Sequence, residues 1–186
     1  MTQFEFILIM TSVIYALGVA QVLSGVSRLA STGGAVRPFV AHTLWVVILF
    51  TSIFLVWWAT WEFREVSWTF PQYSYLLIAP ILLYFACSLV MPRDSGEEDV
   101  DLEVHFYRVR RPLMWTFLVF TVVIVFDGPL LGTEPLVHPV RIWHSTWFVA
   151  AAVGAVSEGR RVHIGIAVVV LTTSALLVAT RFWALS

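Results

Sequence analysis

Residues 7–26 run for 20 positions without a charged side chain, and a helix of that length, at 1.5 Å rise per residue, matches the roughly 30 Å hydrocarbon core of a bilayer. Long apolar runs recur at 39–61, 72–91, 112–131, 140–156 and 162–180. One soluble core could not hide them all: 59% of the residues are hydrophobic and 12% charged, against about half and a quarter in soluble domains. The expected fold class is all-α, a polytopic membrane protein built as a six-transmembrane-helix bundle in one domain over 1–186. Its helices should lie at about 5–29, 39–61, 72–91, 112–131, 140–157 and 162–183, with a cytoplasmic loop at 92–111. No positively charged segment precedes the first run, which is read as a retained span and not a cleaved signal peptide.

Turn residues punctuate the runs. Ser31, Thr32, Gly33 and Gly34 form one turn, and Pro38, Pro71 and Pro112 sit near helix starts, where a missing N–H does least harm. Pro80 lies inside the third run and should kink it. Asp127, Gly128 and Pro129 make an ordinary turn signal within the fourth. In the polar segment, six acidic residues between Asp94 and Glu103 read as a solvated loop. Residues 101–111 place Leu102, Phe106 and Val109 at helical spacing, the pattern of a short amphipathic helix at the headgroups, although Val100, Leu102, Val104 and Phe106 also alternate as in a strand.

Arginine sets the orientation. With the N-terminus outside, the inward connections hold eight arginines (Arg28, Arg37, Arg93, Arg108, Arg110, Arg111, Arg160 and Arg161) and the outer side three (Arg64, Arg141 and Arg181). The positive-inside rule then puts both termini on the extracytoplasmic side of a bacterial inner membrane, with Trp57, Trp58, Trp61, Trp68, Trp143 and Trp183 as an outer aromatic belt. An internal echo joins the halves: Val36-Arg37-Pro38 precedes His42 and Trp45, and Val137-His138-Pro139 precedes His144 and Trp147. If it is a duplication, it gives two inverted three-helix halves, an arrangement used by transporters; coincidence in a chain rich in tryptophan is the other reading.

Several functions are excluded. The formal net charge is −1 and all 11 basic residues are arginine, so there is no nucleic-acid surface, no P-loop and no Schiff-base lysine. A single cysteine, Cys87, allows no disulfide or thiol relay within the chain. Neither H-E-x-x-H nor G-x-S-x-G occurs, no catalytic residue stands out, and the chain is not expected to be an enzyme.

Polar residues within the runs are therefore the site candidates. Gly18, Gln21, Gly25 and Arg28 share one stripe, a packing seam or a pore lining, with Arg28 able to snorkel to phosphates. Tyr84 follows the expected kink and could line a cavity. Asp127, Arg141 and His144 gather at the outer side as a cation entrance or proton-linked site. His42 and His163 share a depth that would suit axial ligation of haem b, whereas His105 and His138 read as loop residues. The expected function is a small channel or transporter for an ion or small solute, with no cofactor, acting as a homo-oligomer in the lipid bilayer. The alternatives are a haem-bearing electron carrier and a non-catalytic subunit of a larger membrane complex.

Overall fold

The computed structural model describes residues 2–92 and 99–183, so the acidic stretch 94–98 lies outside the described residues. Helix α1 (Gln3–Ala30) begins at a capping box, with the Thr2 hydroxyl accepting from the Glu5 N–H and the Glu5 carboxylate accepting from the Thr2 N–H. It ends where the hydroxyls of Ser31 and Thr32 donate to the Arg28 carbonyl, at 3.2 and 3.0 Å. α2 (Val40–Ala59) runs back and tightens into a 3-10 turn, Thr60–Phe63. The third run divides into α3 (Phe70–Leu76) and α4 (Ile78–Val90). α5 (Leu102–Leu131), α6 (Val140–Val156) and α7 (Arg160–Leu177) follow, and α7 closes in a π-helical turn, Val178–Phe182.

Five helical segments are long and apolar enough to cross a membrane: Gln3–Ala30, Val40–Phe63, Phe70–Val90, Leu102–Leu131 and Arg160–Arg181. Large apolar side chains such as Phe6, Leu17, Phe54, Phe85 and Val168 stand exposed along them, which suits lipid and not water. The molecule is thus built as an integral membrane protein. The 17 residues of α6 reach only about 25 Å, short of a full hydrocarbon core.

The helices alternate in direction. The first and last described residues lie at one end, here the terminal end, where the Trp68 N–H donates to Gln3 and Arg181 pairs with Glu62. The other end carries Arg28, Arg37, Arg108, Arg110, Arg111, Arg160 and Arg161. Two short parallel strands close it, β1 (Val36–Arg37) on β2 (Val100–Asp101), a pairing the sequence pattern did not announce. Between the ends, Trp45, Ile48, Leu49, Leu83, Leu113, Phe117 and Phe120 are buried almost completely, and the Trp45 ring meets Phe117 edge-on at 5.4 Å. Ala150, Ala151, Gly154 and Ala155 bring α6 close to α5, where Gly154 stands against Met114. The two halves pack differently, since α1 lies along α4 while α5 and α7 share no comparable seam.

Three expectations need correction. Residues 102–111 are neither loop nor surface helix but the first third of α5, capped by the Asp101 carboxylate on the Glu103 and Val104 N–H groups. Pro112 therefore lies inside the helix. Leu102, Phe106, Arg110, Leu113 and Phe117 form one buried stripe across it, and that packing outweighs the lost backbone bond. Asp127, Gly128 and Pro129 are likewise helical; the chain turns only at Gly132, which takes φ of 75°, the left-handed conformation that glycine adopts freely. The break in the third run falls at Leu77, one turn before Pro80, where the Leu76 carbonyl loses the N–H that proline lacks.

Candidate functional site

At the terminal end, charged side chains from four helical elements and the turn after Gly132 converge. Arg141 (α6) lies 3.8 Å from the Asp127 carboxylate (α5) and 3.6 Å from Glu134, in the turn after Gly132. Arg181, on the π-helical turn, pairs closely with Glu134 and at 3.1 Å with Glu62, on the 3-10 turn after α2. His138 adds a contact to Glu134 at 3.6 Å. The chain of pairs runs Glu62, Arg181, Glu134, Arg141, Asp127. The Arg141 and Glu134 side chains are only 12% and 14% exposed.

Local backbone geometry makes this convergence. The Gly132 turn lets the N–H groups of Thr133 and Glu134 return to the Gly128 carbonyl, which folds Glu134 back over the helix end. Gly128 clears the space: a Cβ there would stand 2.7 Å from Arg141 Nη2 and 3.1 Å from Glu134 Cβ. Arg141 Nη1 also donates to the Ile124 carbonyl at 3.4 Å, tying α6 to the last turns of α5. The π-helical turn widens α7 at its end, a distortion often found where a side chain must be aimed.

The group lines a partly open cavity of about 50 Å³, with Glu62, Asp127, Glu134, Arg141, His144 and Arg181 beside Phe63, Ile124 and Trp147. That volume admits a few water molecules or one bare ion and is far below the roughly 300 Å³ at which small-molecule pockets begin. His144 Nδ1 and Arg141 Nε are buried without a hydrogen-bond partner. The sequence gathering of Asp127, Arg141 and His144 is therefore found in space. Glu62, Glu134 and Arg181 were missed. Their side of the membrane followed from the alternating helices, but their pairing depends on the two turns, which carry no local sequence signal beyond Gly132.

The remaining candidates lie toward the arginine-rich end. Gln21 Nε2 approaches the Tyr84 hydroxyl at 3.5 Å, and Arg28 Nη2 donates to the Pro92 carbonyl at 3.4 Å; both line a cavity between α1 and α4, apart from the ionic cluster. The glycine stripe beside them is a packing seam, with Gly18 against Ile53 and Gly25 against Met91.

Three of the five histidines cap helix ends. His42 and His105 Nε2 both donate to the Val90 carbonyl, at 2.9 and 3.0 Å, and His163 Nε2 donates to the Ser157 carbonyl at 3.0 Å. A carbonyl only accepts, so the proton sits on Nε2 in each. His163 packs edge-on to Phe106, and His42 edge-on to His105. Haem ligation through these nitrogens would cost His42 and His163 their hydrogen bonds to helix-end carbonyls. His105 is a helical residue, not a loop one. Among the described residues, no cluster of three or more His, Cys, Asp or Glu could hold a metal ion. Comparison with family models, with curated proteins and with solved structures finds no match for this chain.

Proposed function

We propose that the chain is a six-span inner-membrane transporter for a proton or small monovalent cation, and that the ionic cluster at the terminal end is its ion-handling site. The carrying observation is the convergence of Glu62, Asp127, Glu134, Arg141 and Arg181 around a partly open cavity of about 50 Å³ at the end of an apolar bundle. Ionisable groups at membrane depth are costly, and their usual justification is function. The volume favours an ion over an organic solute. Dense packing around Trp45 and Phe117 favours a carrier that rearranges over an open pore within one copy. The arginine-rich end is taken as cytoplasmic, with both termini outside. The short α6 and the paucity of internal space support work as a homo-oligomer.

The test is flux into proteoliposomes of the purified full chain, with pH-sensitive and cation-sensitive dyes. Uptake of protons, Na⁺ or K⁺ above protein-free vesicles is expected; no flux of any of the three in repeated preparations would overturn the reading.

A scaffold role in a larger membrane complex is the second reading. It is favoured by a lateral apolar groove of about 510 Å³ lined by Phe54, Trp58, Leu171, Val178 and Trp183, a shape that suits a partner helix. Purification in mild detergent separates the two, because a stoichiometric partner protein is expected only of a scaffold.

A further inference from the structure

A second polar cavity, of about 280 Å³, opens between α1 and α4 toward the arginine-rich end, lined by Gln21, Arg28, Tyr84, Ser88 and Met91. Its chemistry is one-sided. A guanidinium, an amide, a phenol and an alcohol supply hydrogen-bond donors, and no carboxylate joins them among the described residues. Arg28 makes no ion pair among the described residues, and its contact to the Pro92 carbonyl is long at 3.4 Å. Arg28 Nε and Ser88 Oγ are buried without any hydrogen-bond partner. Arg28 as a whole is half-buried, but donors buried without a partner are costly, and an anion would complete them.

Position narrows the anion. Arg28 is in the last turn of a membrane-spanning helix, the depth at which lipid phosphates lie. Leu17 lies one turn before Gln21 on the same face of α1, and Ile81 one turn before Tyr84 on α4; both are exposed and continue the seam toward mid-membrane as apolar surface. We infer that this cavity binds a phosphate group, with Arg28 and Ser88 donating to its oxygens and Gln21 and Tyr84 closing it. In a phospholipid ligand, the acyl chains would lie along Leu17 and Ile81. The site is separate from the ionic cluster and does not depend on the transport reading.

Native mass spectrometry of the full chain in mild detergent tests this, with phosphatidylglycerol, diacylglycerol and inorganic phosphate as separate probes. Wild-type protein should retain one phosphatidylglycerol, and Arg28→Gln or Ser88→Ala should weaken that binding at least tenfold. Arg161→Gln, which removes an exposed arginine at the same end, should leave it unchanged. Binding of inorganic phosphate alone, lost in the same two variants, would support the site and assign it to free phosphate. Equal binding by wild type and both variants, equal loss in Arg161→Gln, or equal retention of diacylglycerol would overturn the inference. Ser88→Ala keeps the test decisive if Arg28→Gln fails to fold.

Discussion

Two imidazoles on one carbonyl make a measurable redundancy. His42 and His105 both donate to the Val90 oxygen, one of the four carbonyls that the end of α4 leaves without a helical partner. Either histidine alone still satisfies it, so His42→Ala or His105→Ala should each cost about 1 kcal/mol, while the double variant orphans the oxygen and should cost more than the sum. A double-mutant cycle in reversible denaturation checks this, and simple additivity would show that the bonds act independently. At the terminal end Gly128 has a comparable role. Gly128→Ala puts a methyl 2.7 Å from Arg141 Nη2 and should displace that guanidinium, lowering stability by about 1–3 kcal/mol as overpacking does. In an Arg141→Ala background the same substitution should cost far less, which a second cycle would read. Residue types hinted at part of this: Asp127, Arg141 and His144 could be grouped by their expected side of the membrane, whereas Glu62, Glu134 and Arg181 looked like ordinary ends of helices.

For the helices, legibility followed hydropathy. α1, α2 and α7 are close to their apolar runs because nothing but lipid and packing had to be inferred. α5 was misread where charge and proline interrupt it. His105, Arg108, Arg110, Arg111 and Pro112 look like the end of a loop, yet Leu102, Phe106 and Arg110 lie on the buried stripe that continues through Leu113 and Phe117. Tertiary contact set that boundary, and no local pattern encodes it. Phe106 distinguishes the two descriptions: it packs against Phe39 and His163 with no exposed surface, so Phe106→Ala should cost about 3–5 kcal/mol, where a headgroup helix would lose almost nothing. Thermal unfolding in detergent, followed by circular dichroism, measures the difference.

The molecule as a whole joins a packed middle to polar ends of different chemistry: acids and arginines interleaved at one, arginines and helix-capping histidines at the other. Fold class and the alternation of helices were legible because bilayer thickness fixes the length of a span. The cavity at the terminal end was not legible, since its walls come from positions 62, 127, 134, 141 and 181, brought together only by folding. The central claim is that this cluster handles the transported ion. Its most direct test is proton and cation flux into proteoliposomes for Asp127→Asn beside wild type and Arg161→Gln, with equal reconstitution and unchanged melting temperature as controls. Flux in wild type and Arg161→Gln, reduced at least tenfold in Asp127→Asn, is the predicted result; flux in folded Asp127→Asn equal to wild type would contradict it.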